Sequence, residues 1–190
     1  MSRSNLIIFN KPFGVLSQFS GVDANLSDYI SCPGFYPAGR LDKDSEGLLL
    51  LTNDGHLQAR ISQPNQKMAK TYWVQIEGLV GHDSLASLRK GITLKDGHTR
   101  PARARLIEEP IQNRSPDIRR RQAIPTSWIE LTITEGKNRQ VRRMTAAVGH
   151  PTLRLYRAKI GPWSVNDLKV GEYQCLSVRL PQKKRPEKRK

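Results

Sequence analysis

Cysteine is scarce in this chain. Its 190 residues contain two, Cys32 and Cys175, far apart in the sequence, so neither a disulfide framework nor a cysteine-based zinc site is supported. The four histidines, His56, His82, His98 and His150, fall at no metal-ligand spacing, and no metal is expected. No run approaches the roughly 18 apolar residues of a membrane span. The opening stretch, MSRSNLIIFNKP, lacks the long apolar region of a secretory signal. A soluble, cytoplasmic protein without a membrane partner is the expectation. Acids are also in short supply, with 17 Asp+Glu against 32 Lys+Arg, a net charge of +15. That excess makes a polyanion, above all a nucleic acid, the expected partner. Hydrophobic content is an ordinary 37%, enough to bury a core in one sizeable domain without disulfides or metals.

The positive charge is uneven. The last ten residues, PQKKRPEKRK, carry six basic groups and one acid, too polar to fold alone. A domain over residues 1–180 followed by a disordered basic tail over 181–190 is therefore expected. Two internal runs concentrate the rest: Arg100–Arg121 has seven arginines against three acids, and Glu135–Lys159 has seven basic residues against one acid. One basic run is most simply a solvated face; three on a small protein favour an anionic ligand.

Leu6–Phe9 and Gly47–Thr52 are apolar runs that read as buried strands, the second ended by the turn signal Asn53-Asp54-Gly55. Asn25 suits the cap of a short helix to Ile30, a second helix fits His56–Ser62, and Asp83 suits the cap of a third to Lys90. Lys70–Gly78 alternates as a strand, as do Ala102–Glu108 and Trp128–Thr134, with Thr152–Ala158 and Tyr173–Val178 at the end. Glu109–Pro125, rich in proline and arginine, reads as a long loop. Val141, Met144, Thr145 and Val148 give the helix over Arg139–Val148 a core face, with Arg139, Arg142 and Arg143 opposite. Strands and helices do not alternate regularly, which predicts an α+β fold with a mixed, mostly antiparallel sheet flanked by helices.

The densest polar cluster, Ala38–Gly47, precedes the strongest apolar strand and holds Asp42, Asp44 and Glu46. If the segment were extended, their even spacing would put all three on one side, where they repel unless cations intervene. A bland reading is a charged turn with Asp44 or Ser45 capping a helix. The functional reading is a carboxylate acting on a nucleic-acid sugar or phosphate; the adjacent Arg40 and Lys43 argue against a metal. Tyr72 reads either as sheet packing or as a platform for an unpaired base.

GRLDKDSEGLLLLT at Gly39–Thr52 resembles the signature of pseudouridine synthases of the small-subunit rRNA synthase family. KTY at Lys70–Tyr72 and EGKNRQVRRM at Glu135–Met144 resemble that family's next two motifs in order and separation, and NKPFGVLSQF is similar to its opening strand and loop. QARISQP at Gln58–Pro64 and IPTSW at Ile124–Trp128 incline the resemblance toward members acting on large-subunit rRNA. It spans about residues 5 to 178.

The resemblance implies the family's catalytic fold with a central cleft, and isomerisation of uridine to pseudouridine in ribosomal RNA by a monomer without cofactor or metal. It implies Asp42 as the catalytic aspartate, acting at C1′ or on the C2′ proton, Tyr72 as the residue stacking on the base, and Arg142 as the partner of Asp42. Arg40, Leu41, Lys70, Arg139, Val141 and Arg143 would contact substrate. It also implies no RNA-binding module ahead of the catalytic domain, leaving docking to the basic face, the Arg100–Arg121 region and the tail. Asp44 and Glu46 are expected to be structural, capping or holding Arg40 and Lys43. Two other functions fit the same residues. A nucleoside hydrolase would use Asp44 or Glu46 as the second carboxylate that activates water, and a non-catalytic assembly factor would use the basic face alone.

Overall fold

The computed structural model describes residues 3–63, 68–112, 114–118, 124–165 and 168–179. Its frame is set by β3 (Glu46–Thr52), in which every residue is buried. The four consecutive leucines Leu48–Leu51 have no exposed surface, because strand alternation sends them to two different cores. Leu48 and Leu50 pack with Leu6, Ile8 and Tyr156, and Leu49 and Leu51 with Ile7, Phe9 and Leu41. Each such leucine contributes about 1.5–3 kcal/mol relative to an exposed one.

Around β3 the main sheet is built from β1 (Arg3–Lys11), β4 (Lys70–Glu77), β7 (Arg103–Ile107), β8 (Thr126–Ile133), β9 (Thr152–Ile160) and β11 (Tyr173–Arg179). The order is β11-β1-β3-β9-β4-β8-β7, with the short β2 (Tyr36–Pro37) on β3 and β10 (Trp163–Ser164) on β9. A separate small hairpin joins β5 (Thr93–Leu94) to β6 (Gly97–His98). All described pairings between strands are antiparallel except β3 with β9, which pair in parallel through only Glu46↔Tyr156 and Gly47↔Arg157. The two halves of the sheet meet at this join. Gly47 is what permits it: φ is +94°, and an added Cβ would lie 2.5 Å from the Arg157 carbonyl oxygen.

Helix α1 (Gly55–Ser62) is capped by the Asp54 side chain, which accepts from the His56 and Leu57 amides. Helix α2 (His82–Lys90) buries Leu85 and Leu88. Helix α3 (Gln140–Ala147) buries Val141, Met144 and Thr145, against a core that includes Tyr72, Val74, Ile133 and Leu155. The α+β class and the mostly antiparallel sheet expected from the sequence are what the structure has. The helix expected after Asn25 shrinks to a 3-10 turn, Leu26–Asp28, closed by a capping box between Asn25 and Asp28. No described residue of the Glu109–Pro125 segment is in a helix or strand; Ile118 is buried there, and Arg114 lies over the Phe13 ring at 3.7 Å. Arg119–Arg121 and the tail at 181–190 lie outside the described residues. Among the described residues no helix is long and apolar enough to cross a membrane, and no group of His, Cys, Asp and Glu could hold a metal ion.

Candidate active site

A cavity of about 250 Å³ opens where the two halves of the sheet meet, room on the order of one nucleoside. The loop before β3 supplies Arg40, Leu41 and Asp42; β4 supplies Lys70 and Tyr72; the start of α3 supplies Arg139 and Val141; β9 supplies Leu155 and Arg157.

The loop is tied down on both sides of Asp42. The Leu41 amide donates to Ser17 Oγ at 3.1 Å, and that hydroxyl donates to the Leu41 carbonyl at 2.6 Å. The Gly14 amide donates to the Lys43 carbonyl, and the Ser45 amide to that of Asp42. Leu41 anchors the loop from below, 7% exposed. Tyr72 is equally buried, its ring at the wall of the cavity. Asp42 is therefore presented by a tied-down loop at the cavity that Tyr72 also lines, with its side chain 35% exposed and open to a ligand.

A family model described as RNA pseudouridylate synthase matches residues 5–147. The chain belongs to the RNA pseudouridylate synthase family. It is 50% identical over 181 residues to the ribosomal large subunit pseudouridine synthase E of Vibrio vulnificus, covering 94% of this chain and 77% of that protein. It is 52% identical over 169 residues to the protein of the same name from Xanthomonas axonopodis pv. citri, covering 86% and 89%. A crystal structure of a pseudouridylate synthase superposes with a TM-score of 0.77 at 30% identity, covering 92% of this chain and 70% of that one. As an RNA pseudouridine synthase, this chain isomerises uridine to pseudouridine.

Of the nine residues read from the sequence, the synthase brings seven to the cavity: Asp42, Tyr72, Arg40, Leu41, Lys70, Arg139 and Val141. The pairing of Arg142 with Asp42 is not what the structure has. The cation on Asp42 is Arg139, at 3.5 Å. Arg142 instead donates to the Asp44 backbone carbonyl at 2.7 Å and lies 3.3 Å from the Asp44 carboxylate. The reason is local. Arg139 sits before the first helical residue in a left-handed conformation, φ +46°, so its side chain leaves the helix toward the loop, while Arg142 stays in the first turn. Arg143 turns away altogether, forming a two-pronged pair with Asp96 at 2.7 and 3.0 Å.

Asp44 holds two arginines, taking Arg139 through both oxygens at 3.0 and 2.7 Å. That charge-assisted bonding, led by the hydrogen bonds from Arg139, lowers the Asp44 pKa below the usual carboxylate range. Glu46 points elsewhere, bonded to Arg154 at 2.9 Å through both oxygens, each side chain 4% exposed. The structural role expected for these acids stands, but their partners differ. Arg40 donates to Gln18, and Lys43 pairs with Asp23 at 2.9 Å. Asp42 is the one carboxylate among the described cavity-lining residues; Asp44, which shares Arg139 Nη1 with it, lies outside that lining.

Sequence reading missed Arg157. It lines the cavity at 4% exposure, its Nε donating to the Leu48 carbonyl at 2.8 Å. The signal available was its place two residues after Leu155 on a strand, which puts both on the same face.

Proposed function

We propose that this synthase acts on a uridine of large-subunit ribosomal RNA, in the cytoplasm and as a monomer, with Asp42 as the reacting carboxylate. The observation that carries the reading is the Asp42 carboxylate, held on a tied-down loop at a cavity of nucleoside size that Tyr72 also lines. The names of its relatives at about 50% identity supply the RNA.

The target uridine must leave its stack, at a cost of a few kcal/mol. Lysine and arginine contacts with phosphate offset that cost, and the rim offers Arg40 and Lys137 beside Arg139. Once inside, the uracil stacks on Tyr72 between Leu41 and Val141, and Asp42 acts on the ribose at C1′ or C2′. The bond to N1 breaks, the base turns, and C5 rejoins C1′. Arg139 holds the Asp42 carboxylate in place, while Arg142 acts through Asp44 by fixing the loop and Arg139 together. Arg143, already paired with Asp96, has no place in the site.

The test is a pseudouridine map of large-subunit rRNA from cells with and without this chain. One site should disappear with the chain and return with its gene. An unchanged map, or release of free uracil by the purified protein, would refute the reading.

A further inference from the structure

The cavity holds more positive charge than its acids answer. Arg40, Lys70, Lys137, Arg139 and Arg157 line it against Asp42 alone. Three of the five are otherwise engaged: Arg139 with Asp42 and Asp44, Arg40 with Gln18, and Lys137 with the Asp96, Gly97 and His98 carbonyls. Lys70 and Arg157 differ. They come from adjacent strands of the sheet, where Tyr72 and Arg157 are paired in register. Among the described residues Lys70 Nζ reaches only the Met68 carbonyl, at a long 3.4 Å. Arg157 donates from Nε to Leu48 and from Nη1 to the Arg40 carbonyl at 3.5 Å. Its buried Nη2 has no partner among the described residues. Neither cation meets a carboxylate among the described residues. Burial, then the Arg157 charge, lowers the Lys70 pKa. Arg157 is buried and Lys70 half-buried; a cation withdrawn from water without counter-charge is costly, and such cost is retained where an anion forms during the reaction.

The reaction supplies one. Whether Asp42 adds to C1′ or removes the C2′ proton, the C1′–N1 bond breaks with its electron pair on the ring. The detached uracil is an anion, its charge spread over N1, O2 and O4. We propose that Lys70 and Arg157 bind the carbonyl oxygens of the flipped uracil and stabilise the uracil anion as it departs. The anion exists only after bond breaking, so these contacts strengthen toward the transition state and raise the rate rather than ground-state binding. The same charges retain the base while it turns. C5 then bonds to C1′ as the carboxylate leaves or the C2′ proton returns, the C5 proton is lost, and N1 takes up a proton. The inference rests on the function proposed above.

Fluorine at C5 makes uracil a better leaving group, and this gives the test. Large-subunit rRNA is transcribed with uridine or with 5-fluorouridine, and single-turnover loss of the parent nucleoside is followed at the position the wild-type enzyme modifies. Lys70→Met should lose about 10²-fold on uridine RNA, the scale of one removed anion-stabilising donor. It should lose under about tenfold on 5-fluorouridine RNA, with the RNA Kd changed less than about threefold. Lys70→Arg should restore most of the uridine rate. Arg157→Lys, which keeps the charge but removes the unpartnered N–H, should show the same selectivity and covers the case in which Lys70→Met misfolds. Equal losses on both RNAs, or a loss lying wholly in Kd, would overturn the inference alone. A wild-type enzyme that leaves both RNAs unchanged would overturn the proposed function as well.

Discussion

Lys11 has no exposed surface, and its Nζ donates to the Pro12 and Val15 carbonyls at 2.8 and 2.7 Å. Burial, opposed mainly by Glu46, lowers its pKa from 10.5 to about 8. Between those values the unfolded chain binds a proton that the native protein does not, so stability from this group rises as pH increases from about 8 to 10.5. The rise amounts to about 3 kcal/mol at most. Lys11→Met removes the titration, so urea unfolding at pH 8 and pH 10 should show wild type gaining on the variant. Parallel pH curves would contradict the assignment. Gly47 makes a second residue-scale prediction. With φ at +94° and an added Cβ 2.5 Å from backbone oxygen, Gly47→Ala should cost about 2–4 kcal/mol, read as a lower urea midpoint. An unchanged midpoint would mean the β3–β9 join is looser than described.

At the scale of elements, that join is locked by the Glu46–Arg154 pair, which ties the first residue of β3 to β9. Breaking a buried pair from one side costs about 3–5 kcal/mol. Glu46→Gln should therefore lower the unfolding free energy by about that much; a loss under about 1 kcal/mol would contradict it. Much of this architecture was legible in advance. Four leucines, then Asn53-Asp54-Gly55 and His56–Ser62, announce a buried strand, a turn and a helix, and the structure has them in β3 and α1, with Asp54 as a cap that the sequence reading did not assign. Spacing also identified the core face of α3. Its basic side was less legible, because which arginine meets which acid depends on where the helix begins. A shift of one residue turns a side chain through about 100°, and the start at Gln140 leaves Arg139 outside the helix. The three acids misled for a similar reason. A turn closed by the Ser45 amide on the Asp42 carbonyl separates Asp42 and Asp44 from Glu46, which an extended reading had put on their side. The motifs located Asp42, Tyr72 and Lys70, but nothing in them pointed to Arg157.

For the whole molecule, the net charge of +15 divides by use. Part of the arginine-rich run already has partners within the protein: Arg105 pairs with Glu130 at the surface, Arg100 donates to the Thr134 carbonyl, and Arg114 lies over Phe13 near Glu46. Those groups serve the fold before they serve RNA. The six basic residues of 181–190 lie outside the described residues, and each phosphate they neutralise would steepen the salt dependence of binding by about 0.7–0.9 in log K against log salt. Deleting Pro181–Lys190 should weaken RNA binding and flatten that slope while leaving the rate on saturating RNA intact. An unchanged slope would remove the tail from the RNA interface. The many bases gather the RNA, and the Asp42 carboxylate does the chemistry. Purified wild-type and Asp42→Asn proteins, each incubated with large-subunit rRNA, separate the two roles. Asp42→Asn should form no pseudouridine while its RNA affinity stays within about threefold of wild type. Modification at the normal rate by that variant would contradict it.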